Sequence, residues 1–344
     1  MDCSQSQTII YAQLRSYAAL HSLIMIPSPI IETRQISRDF KKKRAVNALD
    51  LSIQTGELFG IVGPDGAGKT TILRLLAGLL TITDGSGIIN GFDLAKQSES
   101  IKAQIGYMAQ SFSLYSKLSV LENLNFFAEL YNVSTGERAE RTKRLLSFAG
   151  LTEFKDRRAS HLSGGMQKKL ALACTLIHEP PILLLDEPTT GVDPVSRREF
   201  WNILTELHLA NTTIVVSTPY MDEADRCSRV GLIYAGELVI CDQPRNIRAQ
   251  VPGELIELFP EDRSATLAYV RTLPGVLEVQ TYGEALHLIV DSGEKRLNQI
   301  ENSLIKQGLE FRAARLAPIR MEEAFISLIQ QMDNTNNQDP IANL

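Results

Sequence analysis

The first part of the chain alternates between apolar and polar residues as strands do, and then changes to a helical period. Residues 36–40, 49–53 and 58–62 predict three strands, and Gln54-Thr55-Gly56 predicts a turn before the third. Residues 70–80 predict a helix, because apolar side chains recur on one side of it: Ile72, Leu73, Leu75, Leu76, Leu79 and Leu80. A strand, a glycine-rich segment and a helix therefore follow one another.

The middle of the chain predicts a helical insertion. Capping boxes at residues 119–122 and 134–137 each open a helix, the first running through Tyr131 and the second ending at Gly150. Beyond the insertion, a short apolar run is typical of a strand buried on both faces of a parallel sheet. We predict such strands at 182–185, 213–216 and 230–234. The pattern as a whole indicates an α/β core.

After about residue 250 the elements follow the order βαββαβ, which is that of a ferredoxin-like module, and one more helix ends the pattern. The predicted strands are 255–258, 277–281, 285–290 and 311–316, and the predicted helices are 263–272, 295–307 and 321–330. We therefore predict four segments. They are an N-terminal extension (1–30), the α/β domain (31–250), an α+β accessory domain (251–332) and a flexible polar tail (333–344).

Composition and charge narrow the function. The net charge is −5 and the sequence pI is about 5.7, which argues against a general nucleic-acid binder because such proteins are normally basic. The dense basic run at residues 41–44 is interpreted as a solvated turn. The four cysteines have no CxxC spacing, which favours a reducing compartment, and the five histidines form no metal-ligand pattern.

No segment reaches the roughly 20 apolar residues that a membrane helix needs. The nearest is residues 9–26, which five polar residues interrupt: Gln13, Arg15, Ser16, His21 and Ser22. A signal peptide is not indicated, because no small-residue cleavage site follows a basic start. An amphipathic helix on the membrane surface is one interpretation. We favour an unstructured extension or a true start at Met25.

The glycine-rich segment fits the phosphate-loop pattern G-x-x-x-x-G-K-[ST]. Its glycines let backbone N–H groups point inward at phosphate oxygens, and the helix that follows adds its N-terminal dipole. In this pattern Lys69 reaches the β- and γ-phosphates and the Thr70 hydroxyl ligates Mg²⁺. The residues predicted to bind the nucleotide are Gly63, Pro64, Asp65, Gly66, Ala67, Gly68, Lys69, Thr70 and Thr71.

A second chemical signal follows the predicted strand 182–185. Its apolar residues place Asp186 at the end of the strand, where the carboxylate can hold the metal through water. Glu187 is then a candidate base that orients the attacking water. Acidic residues often end strands, so this signal depends on its pairing with the glycine loop. Together the two segments predict hydrolysis of MgATP.

Residues 162–167, Leu-Ser-Gly-Gly-Met-Gln, resemble the LSGGQ signature of ATP-binding cassette (ABC) proteins. Ser163 begins a helix, so its hydroxyl and the next N–H groups form a second anion site. A plain helix cap would explain Ser163 but not the Gly-Gly pair. The resemblance implies a head-to-tail dimer, in which each signature contacts the γ-phosphate held by the other subunit. The signature residues concerned are Ser163, Gly164, Gly165 and Gln167.

The resemblance extends over residues 31–245. It implies a P-loop NTPase fold: an ABC nucleotide-binding domain with a RecA-like core, an antiparallel β subdomain and a helical subdomain. Phe40 resembles the aromatic residue that stacks on adenine, with Val46 packing nearby; a core phenylalanine is the alternative. Gln110 resembles the Q-loop glutamine, and residues 191–193 resemble the D-loop. The implied catalytic residues are Glu187, Lys69 and Gln110, and the implied metal ligands are Thr70, Gln110 and Asp186.

One departure from the family pattern concerns catalysis. ABC proteins usually place a histidine after the strand at 213–216, where it contacts the γ-phosphate, and Pro219 stands there in this chain. Proline has no N–H to donate and does not titrate. We predict hydrolysis that is slower than in relatives but not absent, because Glu187 and Lys69 remain.

The resemblance also implies partners. Residues 220–227 and 320–325 resemble the bacterial multidrug and polysaccharide exporters. Such a subunit is peripheral to the cytoplasmic face of the inner membrane, and its partners are transmembrane permease subunits and a second copy or paralogue, without nucleic acid. In the family the loop at 111–118 meets the permease. Its apolar residues could make that contact or pack inside the helical lobe: Phe112, Leu114, Tyr115 and Leu118.

Two alternatives stay open. The first is a soluble, non-transport ABC ATPase that acts on ribosomes or DNA. Proteins of that kind usually carry tandem domains or long coiled-coil insertions, whereas this chain has one such domain, no heptad run and a negative net charge. The second is a nucleotide-binding regulatory subunit with weak hydrolysis. Pro219 at the usual histidine position would indicate such a degenerate site.

Overall fold

The computed structural model describes residues 28–41, 43–111 and 114–338. The expectations for residues 1–27, for Phe112 and for 339–344 lie outside the described residues. No described helix has both the length and the apolar character needed to cross a membrane.

Strands occupy much of the described chain. In chain order they are β1 (Ile31–Phe40), β2 (Lys43–Ile53), β3 (Leu58–Val62), β4 (Asp84–Ile89), β5 (Phe92–Asp93), β6 (Ile105–Met108), β7 (Ile182–Asp186), β8 (Thr213–Thr218), β9 (Arg229–Tyr234), β10 (Glu237–Asp242), β11 (Glu254–Pro260), β12 (Val276–Tyr282), β13 (Ala285–Val290) and β14 (Phe311–Ala317).

The helices lie between these strands and after them. They are α1 (Lys69–Leu76), α2 (Ser98–Gln104), α3 (Val120–Leu130), α4 (Thr135–Phe148), α5 (Gly164–Leu176), α6 (Pro194–Leu209), α7 (Met221–Ala224), α8 (Pro244–Arg248), α9 (Arg263–Val270), α10 (Gly293–Gln307) and α11 (Met321–Gln338). Short 3₁₀ turns lie at Thr152–Phe154 and Ala159–His161.

The strands form three sheets. The first is antiparallel with the order β2-β1-β4-β5, the second is mixed with the order β10-β9-β3-β8-β7-β6, and the third has the order β12-β13-β11-β14. Every residue of β3, β7 and β8 is buried, and β3 pairs in parallel with β9, as β6 does with β7. The prediction of strands buried on both faces is confirmed, in a sheet that is mixed because β10 pairs antiparallel with β9.

The chain divides into two compact units. Among the described residues, those from 28 to Glu57, Thr71–Leu185 and Gly191–Val215 form the first unit. The second unit comprises Leu58–Thr70, Asp186–Thr190 and the described residues from Val216 to Gln338. The predicted boundary at 250/251 does not separate these units, because helix α11 contacts both α7 and α8. A separate accessory domain at 251–332 stays a prediction.

Local signals in the first unit are confirmed with shifted ends. Ser119 forms both bonds of its capping box with Glu122 at the start of α3. Helix α1 ends four residues before the predicted end at Leu80, because Gly78 adopts a φ of +66° and closes the helix. Leu79 is consequently 48% exposed instead of buried.

The basic run at residues 41–44 is only partly the predicted turn. Lys41 forms an exposed turn with a φ of +53°. Arg44 belongs to strand β2, and its Nε lies 2.8 Å from Asp39 Oδ1.

The end of the second unit has the predicted ferredoxin-like order. The elements follow the order β11-α9-β12-β13-α10-β14, and all pairings in this sheet are antiparallel. Its core packs Ile256, Leu258 and Leu288 against Ile300 and Leu304 of α10. Helix α11 runs to Gln338, so residues 333–338 of the predicted tail are helical. The helix propagates there because each added residue contributes a backbone hydrogen bond.

A buried polar cluster attaches helix α11 to the third sheet. His287 Nδ1 lies 2.7 Å from Glu323 Oε1, and both side chains are 1% exposed. Glu257, paired opposite His287 in the sheet, accepts hydrogen bonds from Arg315 and Arg320. Burial alone would raise the pKa of Glu323, but the hydrogen bonds from His287 and from Arg320 N outweigh burial and lower that pKa.

Replacing Glu323 by Gln is expected to lower the free energy of unfolding by about 1.5–3 kcal/mol at pH 7, the usual value for a hydrogen bond to a charged group. Since the folded pKa is lowered, the carboxylate stabilises the fold fully above its unfolded pKa, about 4.3. That stabilisation is lost as pH falls through the folded pKa. Urea unfolding at pH 7 and under acid conditions measures both effects.

The adjacent Glu322 is exposed on the same turn of helix α11 and provides the matched control. Glu322→Gln is expected to change stability by less than about 0.5 kcal/mol. Equal losses in the two variants would contradict the assignment of this stability to the buried pair.

Candidate phosphate-loop and carboxylate site

The glycine-rich segment forms a loop between β3 and α1. A Cβ on Gly63 would lie 2.2 Å from the carbonyl oxygen of Ile233, so only glycine fits at that close approach. Gly66 has a φ of +79°, in the left-handed region that glycine adopts without strain, and its missing Cβ faces open space. The loop is further attached by Gly236 N, which donates to Ala67 O at 2.9 Å. These contacts hold the loop in a fixed curl.

Lys69 lies inside this curl and is 3% exposed. Its Nζ donates to the carbonyl oxygens of Gly63 (2.9 Å) and Pro64 (3.0 Å). The same Nζ lies 3.3 Å from Glu187 Oε1 and 3.9 Å from Asp65 Oδ1. Because the side chain of Glu187 is also buried, the ammonium and this carboxylate form a buried ion pair.

Asp186 is fully buried at the end of β7 and contacts two hydroxyl groups. Thr70 Oγ1 donates to Asp186 Oδ1 at 3.0 Å, and Ser217 Oγ donates to the same oxygen at 2.8 Å. Ser217 was not among the site residues predicted from the sequence. Its signal is the position of a polar residue at the end of an apolar strand, because ligands bind beyond the carboxyl ends of strands in open α/β sheets.

Glu187 follows in an unusual backbone conformation, with a φ of +46°. Its N–H faces the backbone oxygen of Ser217 at 3.2 Å and the Ser217 hydroxyl at 3.1 Å. Thr190 Oγ1 donates to Glu187 Oε2 at 3.3 Å. Non-glycine residues in the left-handed region cost free energy and persist only where surrounding contacts hold them, as these contacts do.

These contacts bring together four residues predicted to act in one site: Lys69, Thr70, Asp186 and Glu187. All four belong to the second unit. Pro219 belongs to it too, is half-buried, and follows Thr218, whose Oγ1 accepts a hydrogen bond from Tyr220 N at 3.1 Å.

The residues resembling the signature begin helix α5 in the first unit. Ser163 is the N-cap, and its Oγ accepts from Met166 N at 3.3 Å. A Cβ on Gly164 would meet nothing within 4 Å, whereas one on Gly165 would lie 2.4 Å from Ser196 Oγ. Gln167 Nε2 donates to the backbone oxygens of Ala159 and Leu162, so Gln167 supports its own segment. A nucleotide contact by Gln167 stays a prediction.

The other predicted nucleotide contacts also belong to the first unit. Phe40 is 41% exposed at the end of β1, and the guanidinium carbon of Arg38 lies 4.9 Å from its ring centroid. Val46 is fully buried. Gln110 is exposed, and its carbonyl oxygen accepts from Lys168 Nζ at 2.9 Å. Phe40 therefore has the exposed ring that stacking requires, and Val46 packs in the interior.

The donors of the second unit fit a magnesium–nucleotide complex. Mg²⁺ is usually held by one or two carboxylates together with phosphate oxygens and water, and Thr70 and Asp186 supply one hydroxyl and one carboxylate 3.0 Å apart. No group of three or more His, Cys, Asp and Glu suited to a metal occurs in the described ranges. The loop N–H groups and Lys69 supply the positive field that phosphates need.

Known proteins that are similar in sequence or structure bind ATP through the same kind of domain. The family described as ABC transporter matches residues 46–190. The probable multidrug ABC transporter ATP-binding protein YbhF of Escherichia coli K12 is 42% identical over 83% of this chain, and the chain spans about half (49%) of its length. The daunorubicin resistance ATP-binding protein DrrA2 of Streptomyces coeruleorubidus is 31% identical over 90% of the chain and 98% of its own length.

A third relative is the Nod factor export ATP-binding protein I of Cupriavidus metallidurans, which is 35% identical over 68% of this chain and 78% of its own length. Among solved structures, the ATP-binding cassette MJ0796, in a dimeric post-hydrolysis state with ADP and Pi, is 27% identical. Its TM-score is 0.57, and the match covers 62% of this chain and 98% of that one. The predicted P-loop NTPase fold of the ABC type is confirmed, and the chain belongs to the family of ABC transporter ATP-binding proteins.

Proposed function

We propose that the protein is the ATP-hydrolysing subunit of an ABC exporter. The observation that carries the proposal is the cluster in which Lys69, from the glycine loop, and Glu187, from the end of β7, lie 3.3 Å apart beside the Thr70–Asp186 pair. P-loop NTPases use a loop lysine, a hydroxyl and a carboxylate together on the phosphates and their metal ion. The matched relatives, whose names refer to drug resistance and to export, support this assignment.

Each residue has a distinct task in hydrolysis. The loop N–H groups and the Lys69 ammonium bind the β- and γ-phosphates. Thr70 and Asp186 would hold Mg²⁺, which would neutralise charge on the phosphates. A metal contact by Gln110 stays a prediction. Glu187 accepts a hydrogen bond from the attacking water and orients it. Stacking of the adenine ring on Phe40 stays a prediction.

We propose that two cassettes, either identical or paralogous, close head to tail on the nucleotide. The open space at Gly164 and the N-cap geometry of Ser163 support this arrangement, because a helix N-terminus free of side chains can approach a phosphate. The dimeric form of the MJ0796 cassette supports it as well. Closure of the pair would drive the permease to switch access.

Gly164→Ala tests this arrangement. The added methyl meets nothing within 4 Å in the single chain, so the melting temperature should stay within about 2 °C of wild type, as expected of surface substitutions. ATP-dependent dimerisation, measured by light scattering in a Glu187→Gln background, should weaken at least about tenfold because the methyl would enter the space of the γ-phosphate. Unchanged dimerisation would contradict the proposed contact.

We propose that the partner is a transmembrane permease and that the protein lies on the cytoplasmic face of the inner membrane, held by that partner. Tyr115 is 47% exposed and Leu114 is half-buried, so the loop presents part of its apolar surface. Co-purification from detergent-solubilised membranes tests the assignment. Recovery with ribosomes or DNA and without any membrane protein would favour a non-transport ATPase.

Pro219 supports a second candidate, a regulatory subunit with weak hydrolysis, because the position supplies no hydrogen-bond donor. We expect Pro219→His to raise kcat about tenfold or more, toward the lower limit of a general acid–base contribution. Steady-state phosphate release with the permease present measures the change, with Glu187→Gln as the baseline. Wild-type release equal to that baseline would favour the regulatory subunit, and no gain in Pro219→His would deny the position a catalytic role.

A further inference from the structure

A buried carboxylate fastens two segments beside the proposed catalytic base. Glu223 lies on the short helix α7 and is 1% exposed. Its Oε1 accepts from Thr189 Oγ1 at 2.8 Å, and its Oε2 accepts from Thr218 Oγ1 at 2.6 Å. The two threonines are 2% and 1% exposed, so both hydrogen bonds are shielded from water.

Each threonine adjoins a residue that holds Glu187. Thr189 precedes Thr190, whose hydroxyl donates to Glu187 Oε2. Thr218 follows Ser217, which contacts both the N–H of Glu187 and the carboxylate of Asp186. One carboxylate therefore joins the segment after Glu187 to the segment that supports Glu187 from β8.

Glu187 needs such support because its φ of +46° is costly for a residue with a side chain. Pro219 has no N–H and so donates no backbone hydrogen bond to hold the segment after β8. That segment is held by Thr218, whose Oγ1 accepts from Tyr220 N at 3.1 Å. We propose that Glu223 is a positioning residue that sets the orientation of Glu187. The proposal rests on the proposed ATPase function.

The test compares Glu223→Gln with Glu57→Gln in the full chain with its permease. Glu57 is also a buried carboxylate (8% exposed) but lies before the start of β3, at the opposite end from the loop. Glu223→Gln should lower kcat about 10- to 100-fold, because small misplacements of reacting groups cost rates of this order. The KM for ATP should change less than about threefold, since the loop and Lys69 are untouched.

A second readout does not depend on hydrolysis. Amide hydrogen exchange at Glu187 and Tyr220 should rise at least about tenfold in Glu223→Gln without nucleotide, because their hydrogen-bond partners lose support, and should stay at the wild-type value in Glu57→Gln. Thr189→Val and Thr218→Val should each reproduce part of the rise, and adding either to Glu223→Gln should produce little further change. These valine variants serve if Glu223→Gln does not fold.

The two hypotheses fail separately. If the wild-type protein hydrolyses no ATP, the proposed function is wrong, and the exchange measurement still decides the role of Glu223. Exchange and kcat that match those of Glu57→Gln would overturn the positioning role. A proportional fall of kcat and of the melting temperature in both variants would also overturn it, because it would indicate a general structural effect.

Discussion

Glu187→Gln is expected to lower the rate of MgATP hydrolysis by about 10²–10⁴-fold, the usual contribution of a positioned general base. The amide keeps the size of the side chain and can still accept from Thr190, but it cannot take a proton from water. ATP binding should persist because the loop and Lys69 are unchanged. Phosphate release and nucleotide binding, measured on the same preparation, separate the two effects.

The variant should also accumulate as an ATP-bound dimer, because closure no longer ends in hydrolysis. Glu129→Gln is the matched control, since Glu129 on helix α3 is an exposed carboxylate in an ion pair with Arg138 of helix α4. That control should hydrolyse ATP at the wild-type rate. A Glu187→Gln protein that stays monomeric in MgATP, alone and with its permease, would contradict the head-to-tail dimer.

Lys69→Met is expected to abolish measurable ATP binding and to lower kcat/KM by at least about 10²-fold, as the loss of one preorganised donor at a developing charge usually does. Stability should fall as well. Removing one member of a buried ion pair costs about 3–5 kcal/mol, and Glu187 would remain buried without the ammonium. Urea unfolding and isothermal titration with MgATP measure the two losses.

Adding Glu187→Gln to Lys69→Met separates these causes. The double variant should recover most of the stability, because the uncompensated carboxylate is gone, and should recover no activity. Lys102→Met is the control, since Lys102 pairs with Glu99 on α2 and is 39% exposed. Normal ATP affinity in Lys69→Met would exclude the proposed phosphate contact.

The chemistry of the loop could be predicted because it is written in consecutive residues. Gly63 approaches Ile233 O too closely for a side chain, and Lys69 donates back to Gly63 O. Both contacts require a fixed spacing of glycine and lysine, which is visible in the sequence. Ser217 could not be found in this way. Ser217 and Asp186 are 31 positions apart and lie on different strands. A single sequence does not predict which residues of two distant strands contact each other.

The strand ends show the same limit. Strand β1 begins at Ile31, five residues before the predicted start, because β2 and β4 pair with it along this length. Strand β4 itself begins Asp-Gly-Ser-Gly, a run that reads as a turn, and its pairing with β1 overrides that preference. The capping box at Ser119, the N-cap at Ser134 and the apolar strands β3 and β7 were predictable because their signals are local. Glu137 does not complete a second capping box, because its Oε2 accepts from the Ser134 hydroxyl.

Helix α11 has a practical consequence for anyone who works with shortened chains. It lies against α7 and α8, and Phe325 meets Tyr234 edge to face with ring centroids 6.4 Å apart. Ala224 on α7 and Ile247 on α8 are fully buried. A chain cut after residue 250 would lack α11 and would expose apolar surface on these two helices. Such a fragment would keep every proposed ATP-binding residue and would still be prone to aggregate, so ATPase assays on it would measure folding defects as well as catalysis.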